Sequence, residues 1–364
     1  MHARRLSLAA TMALLTSTAI SGTSHAAEKI QIGIGGEFVQ YFGYAENDTN
    51  TGDFDGFDVY SDGVLEFAGE TTLDNGLMFG VTVGLFTYTD TEDQIDDSYL
   101  YSEGNFGRVE IGDRDNAAAL MHYAAPDVGF GVNDSDVSDW VVNLTGANED
   151  SAFQSTYLYL GEDKATKISY FTPRFEGFQF GASFIPEFER NSNVQPSDDL
   201  YNSGMAFGVN YVNSFGDVEL ALSAGYLRAD KPDNAATGIE DAEGYSFGGN
   251  IGYAGFTFGG SYADTQGNGS GGTDSAVSFD GRGFDVGAAY AFGDAQVSLS
   301  YYRGEVADSA AAGDSKHETI MLSGAYDLGP GVTATASIFR SKFEADNGAD
   351  NEGWAAISGI VLSF

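Results

Sequence analysis

Along most of this chain large apolar side chains recur at every second residue, and the runs are joined by links that alternate strictly between short and long. Period two means β-strands with one greasy face. The first run puts Ile30, Ile32, Ile34, Phe38 and Phe42 on one face and Gln31, Glu37 and Tyr41 on the other. The second sets Leu65 and Phe67 against Asp62, Glu66 and Glu70, and the third places Leu77, Phe79, Val81, Val83 and Leu85 on one side. Sixteen such runs are legible before the chain ends on Phe364. The links 73–76, 104–106, 173–177, 214–216, 254–255, 292–294 and 328–331 are short, and those at 45–57, 90–94, 114–165, 186–200, 229–242, 264–279, 305–315 and 344–352 are longer and mostly acidic. A soluble sandwich has no reason to sort its links in this way. An up-and-down cylinder inserted into a bilayer from one side does. Hydrocarbon offers the backbone no hydrogen-bond partner, so only a helix or a closed sheet spans it. The expected fold class is all-β, a sixteen-stranded antiparallel up-and-down transmembrane barrel. Phe178, Tyr211, Phe215, Tyr253, Phe256, Phe292, Tyr326 and Phe364 lie beside the short turns, where an interfacial aromatic girdle belongs.

The first 26 residues read as a secretory leader: basic Arg4-Arg5, an apolar stretch from Leu6 to Ile20, and small residues Ser24 and Ala26 ahead of Ala27. The apolar stretch is too short to span a bilayer as a helix. The remainder, 27–364, reads as one barrel domain. No cysteine is present, which excludes disulfides, thiol catalysis and thiolate metal sites. Fifty-four Asp and Glu face sixteen Lys and Arg, a net charge of −38, so nucleic acid is excluded as a partner. Disorder is excluded by 27 Phe and 20 Tyr spaced in alternating runs. Beyond the leader the histidines are His122 and His317, neither in a catalytic or zinc-binding context, so no enzyme is expected.

Several segments resemble Gram-negative general porins, most closely the alphaproteobacterial type. The stretch from Tyr101 through Gly104, Phe106, Gly107 and Gly112 to Arg114 is similar to the hairpin before the constriction loop of that family. Lys167, Tyr170, Pro173, Gly177, Phe178, Gly181 and Ser183 mark the hairpin after it. The Asp74-Asn75-Gly76-Leu77 turn and terminal Phe364 agree. The resemblance implies a homotrimer in the outer membrane, in contact with lipopolysaccharide and assembled by the barrel-assembly machinery. It implies a water-filled channel for passive diffusion of small hydrophilic solutes and ions, with the loop at about 114–165 folded inward. The short fourth and fifth strands suit a wall covered by a neighbouring subunit.

Pore-lining acids expected on this basis are Glu37, Asp62, Glu66 and Glu70 on strands, and Asp127, Asp134, Asp136 and Asp139 on the loop, which also carries Asp115, Glu149, Asp150, Glu162 and Asp163. Pore-lining bases are Arg108, Arg114 and Lys167, whereas Arg228, Arg282 and Arg303 share parity with outward residues. This balance favours cations. A sugar-specific channel is the alternative, with Tyr41, Tyr60, Phe86 and Tyr88 as an aromatic track or, equally, as packing beneath the loop. A non-conducting barrel is disfavoured by many small inward glycines. No cofactor is expected. Calcium could associate loosely with acid clusters at Asp53, Asp55 and Asp58, at Asp134, Asp136 and Asp139, and at Asp346, Asp350 and Glu352, although none has EF-hand spacing.

Overall fold

The computed structural model describes residues 30–49, 52, 54–88, 94–147, 151–159, 164–188, 201–233, 239–267, 280–307, 314–345 and 348–364. The leader expected at 1–26 lies outside them. The strand segments are β1 (Gln31–Asn47), β2 (Gly56–Asp62), β3 (Val64–Thr72), β4 (Met78–Phe86), β5 (Ile95–Gly104), β6 (Gly107–Asp113), β7 (Thr166–Phe171), β8 (Phe178–Glu187) and β9 (Asn202–Phe215). They continue with β10 (Val218–Asp230), β11 (Ala242–Tyr253), β12 (Phe256–Gln266), β13 (Gly281–Phe292), β14 (Ala295–Ala307), β15 (Asp314–Gly329), β16 (Val332–Glu344) and β17 (Asn351–Ser363).

All belong to one antiparallel sheet that closes when β17 pairs with β1, from Glu37 opposite Ser363 to Asn47 opposite Gly353. Seventeen segments make sixteen crossings, because β2 and β3 are one strand broken at Gly63. There the chain adopts φ +120°, and a Cβ would run into the Glu37 carbonyl, so only glycine fits. The last residue finishes the seam: Gly36 N–H donates to the Phe364 carbonyl at 3.0 Å and Phe364 N–H to the Gly36 carbonyl at 3.2 Å. No loose edge remains for another chain to pair with.

The connections sort as the sequence predicts. At the tight turn after β3, Gly76 takes φ +80° and Asn75 Oδ1 accepts the Leu77 amide at 3.0 Å. At 254–255 both residues have positive φ, the geometry of a two-residue hairpin. Outward positions carry exposed apolar groups such as Ile32, Phe57, Phe180, Leu222, Val286 and Leu322, a surface that only lipid or another protein would cover. Aromatics pair beside the short turns, with Phe178 against Tyr211 at 4.6 Å and Phe256 against Tyr290 at 4.2 Å. No helix among the described residues is long and apolar enough to cross a membrane; strands do the crossing.

The packed core lies inside the cylinder. Val39, Tyr41, Phe130, Trp140, Phe153, Phe339 and Phe343 are buried together where the loop between β6 and β7 meets the wall.

Candidate functional site

That loop is a flattened hairpin laid on the inner wall. Its outbound leg starts with a single helical turn, Ala117–Leu120, capped by Asn116, whose side chain accepts the Ala119 amide. Backbone amides then bond one after another to inward side chains of the wall. Ala117 donates to Ser183 on β8 at 2.8 Å, Tyr123 to Ser223 on β10 at 2.9 Å and Ala125 to Asp285 on β13 at 3.0 Å. Val128 donates to Ser298 on β14 at 3.1 Å and Phe130 to Ser337 on β16 at 3.0 Å. The Phe130 ring wedges between Tyr41, edge-on at 5.4 Å, and Phe339, stacked at 5.9 Å. After a 3₁₀ turn at Asp136–Asp139, Asn47 of β1 holds the Trp140 carbonyl and the Val142 amide. The return leg runs back along the wall. Tyr302 donates to the Ala152 carbonyl, His317 Nδ1 meets the Phe153 carbonyl, and Thr156 bonds Ser261 at 2.6 Å.

Glycines clear the track. A Cβ on Gly248 would collide with the Tyr123 carbonyl, on Gly208 with the Ala117 carbonyl, and on Gly304 with the Phe153 carbonyl. The small inward residues thus seat the loop close to the wall.

The loop covers inward groups on β8–β17 where it lies against them, and the uncovered wall includes β3–β7. Arg108 stacks 3.7 Å over Tyr101 and Arg114 4.3 Å over Tyr99. Both guanidiniums share Glu110, at 2.6 and 3.0 Å, and Arg108 also takes Glu103 at 3.1 Å. Lys164, at the loop's neck, sits among Asp97, Asp96 and Asp115 at 3.0, 3.3 and 3.7 Å. Lys167 is buried and donates to the carbonyls of Arg114 and Ala165. Glu66 and Glu70 are exposed, Glu66 within electrostatic reach of Asp97 and Arg114 and Glu70 accepting the Tyr101 hydroxyl. Arg174 reaches in from a short turn to Gln179 and Asn210, and with Arg108, Arg114 and Tyr99 it lines a recess of about 560 Å³.

The expected site residues divide into three groups. Glu66, Glu70, Arg108 and Arg114 come together on the wall. Glu37 lies at the seam end of β1, beside Ser363. The loop acids and Asp62 make other contacts. Asp62 and Asp136 are buried around Tyr60, which also hydrogen-bonds Asp139, and of these three acids Asp139 alone is exposed. Asp127 Oδ1 accepts the Gly129 amide and the Ser298 hydroxyl, and Asp134 Oδ1 accepts the Asp136 amide. These short side chains are spent on turns and on the seam. Glu149, Asp150, Glu162 and Asp163 lie outside the described residues. Glu103, Glu110 and Lys164 were missed, although Glu110 shares inward parity with Arg108 and Arg114.

Tyr41 and Tyr60 pack beneath the loop rather than forming an exposed track, while Phe86 and Tyr88 pair at 5.2 Å. Both histidines are structural. His317 is stacked on Phe343 at 4.5 Å, and His122 is buried against Tyr157 with burial holding its imidazole down to about 4. Among the described residues no cluster of three or more potential ligands could hold a metal ion. Asp55 and Asp350 instead accept the Asn47 and Ala345 amides, while Asp53 and Asp346 are outside the described residues. Arg228, Arg282 and Arg303 face outward and pair with Asp230, Glu305 and Glu318.

A closed sixteen-stranded cylinder with an apolar outside, a charged lumen and an inward loop is a transmembrane diffusion channel rather than an enzyme. The sequence profile of the Gram-negative porins matches residues 9–346, and the chain belongs to that family, whose place is the outer membrane. Solved structures agree in fold. An anion-selective porin from Comamonas acidovorans superimposes with a TM-score of 0.62 at 17% identity, covering 92% of this chain and 100% of that one. OmpF of Salmonella typhi, in complex with daunomycin, gives 0.63 at 15% identity, covering 92% and 97%. The outer-membrane channel DcaP of Acinetobacter baumannii gives 0.62 at 12% identity, covering 92% and 97%. Among curated proteins none matches the sequence.

Proposed function

We propose that this porin is a general, cation-preferring channel for small hydrophilic solutes, working as a homotrimer. The observation that carries the preference is that, with Glu66 and Glu70 included, seven wall acids stand against five bases, Arg108, Arg114, Lys164, Lys167 and Arg174. Arg108, Arg114 and Lys164 are engaged by Glu103, Glu110, Asp96, Asp97 and Asp115, Lys167 is turned onto carbonyls, and Glu66 and Glu70 remain exposed. Acidic rings bias a pore toward cations. A unit charge about 8 Å away in water contributes roughly 0.5 kcal/mol, so two or three net carboxylates raise the cation level in the pore about five- to tenfold over bulk before screening. The Comamonas structure is described as anion-selective, so the reading rests on the charges of this chain and not on the fold. Reversal potentials in a potassium chloride gradient test the proposal; a chloride-favouring sign would defeat it. Tyr41 is buried and Tyr60 partly buried against Phe130, which disfavours a sugar-specific track, and conductance that saturates with a sugar would restore that alternative.

The trimer is supported by an asymmetry of the outer surface. From β10 to β17 the outward strand ends bear Arg228, Glu243, Arg282, Arg303, Glu318 and Arg340, a mixed belt suited to lipopolysaccharide head groups and the divalent ions between them. From β2 to β9 the outward face is Phe57, Val59, Val81, Leu100, Ile168 and Phe207, and it includes the short β6 and β7. A low, uncharged wall suits a neighbouring copy. Cross-linking in native membranes that yields only monomers would count against it.

A further inference from the structure

Asp285 on β13 is buried beneath the loop and forms no salt bridge among the described residues. Its Oδ1 accepts the Ala125 amide at 3.0 Å, and its Oδ2 accepts the Ser261 hydroxyl at 2.8 Å and the Asn133 side-chain amide at 2.5 Å. These donors come from the outbound leg, from Asn133 between Phe130 and the 3₁₀ turn, and from β12. Ser261 Oγ in turn lies 2.6 Å from Thr156 Oγ1 on the return leg, which also meets Asn133 Nδ2 at 2.7 Å and His122 Nε2 at 3.1 Å. Amides can only donate here, and Ser261 spends its proton on Asp285. The remaining order follows: Thr156 donates to Ser261, and His122 carries its proton on Nε2 and donates to Thr156. One carboxylate therefore orients every polar group in the chain that ties the two legs to each other and to the wall. The serine anchors each hold a single loop amide.

We infer that Asp285, as an anion, is a positioning residue for the channel: it sets how closely the constriction loop stands to the wall, and hence the bore. A neutral carboxyl or an amide at this position presents a donor where Asn133 or Ser261 needs an acceptor, and one tie is lost. The wall blocks movement in one direction, so a released leg moves into the lumen. The titratable groups facing Asp285 are Asp127 from the loop, Tyr302 from β14 and, at the far end of the chain, His122. The inference rests on the channel reading above.

The test is single-channel conductance of the folded full-length protein in planar bilayers, from about pH 7 to about pH 4, where carboxylates take up protons. Wild type should lose conductance and gain open-channel noise as the pH falls. Asp285→Asn should show that reduced, noisy state at neutral pH, with no further rise in open-channel noise on acidification. Thr156→Val cuts the return leg from the same carboxylate without touching it. It should lower conductance at neutral pH and serves if Asp285→Asn does not fold. Wild-type conductance and profile in both variants would overturn the inference. So would a pH step that persists in Asp285→Asn and vanishes in His122→Gln, since the titrating group would then be His122. A wild type that conducts at no pH would instead defeat the channel reading itself.

Discussion

Replacing Glu110 by Gln tests the electrostatics of the lumen most directly. This buried carboxylate holds both Arg108, at 2.6 Å, and Arg114, at 3.0 Å, so the substitution removes one negative charge and leaves two guanidiniums with less compensation. At roughly 8 Å from a passing ion in water, that change costs a cation about 0.5 kcal/mol and favours an anion by the same amount. The permeability ratio should then move toward anions by about fivefold at low salt. With a screening length of about 10 Å at 0.1 M, the shift falls to about twofold. Reversal potential across a salt gradient, measured at two mean ionic strengths, reads both values. Arg108→Gln should shift the ratio the other way. An unchanged reversal potential in a Glu110→Gln barrel that migrates as folded would refute the reasoning, as would a shift of equal size at both ionic strengths.

Other consequences are open to measurement. Phe130→Ala removes the ring held by Tyr41 and Phe339 and should cost about 3–5 kcal/mol, read as a lower urea midpoint of the refolded barrel with a noisier pore. Gly248→Val drives side-chain atoms into the Tyr123 carbonyl, so the loop must lift and single-channel conductance should drop, while Gly324→Ala, which meets only ordinary contacts, should be silent. His122 has its folded pKa lowered to about 4 from 6.5, so the unfolded chain binds the extra proton first on acidification. Its contribution is complete above about pH 6.5 and is lost as the pH falls toward 4, about 3 kcal/mol in all, and His122→Gln should flatten that part of the stability profile. Deleting Phe364 removes both seam bonds to Gly36 and should reduce the yield of folded barrel in detergent refolding, as judged by heat-modifiable gel mobility.

The alternation of apolar residues, the sorted links and the closing aromatic determined the architecture from sequence alone. A membrane leaves a period-two chain one solution, a closed sheet whose outward residues are apolar, and parity then assigns Glu66, Glu70, Arg108 and Arg114 to the lumen before any coordinates are known. The loop follows no such rule. Its acids look alike in sequence, yet Asp136 is buried beside Tyr60, Asp127 and Asp134 cap turns, and Asp139 reaches Tyr60. The glycines and serines of β8–β16 gave no sign that they would seat a loop, because that role depends on a segment distant in sequence, 66 residues away for the bond from Ala117 to Ser183 and 170 for that from Val128 to Ser298. Strand periodicity is a local property enforced by the bilayer. Only the tertiary structure decided which inward groups meet water and which meet the loop, because that follows from the one path the loop takes across the wall.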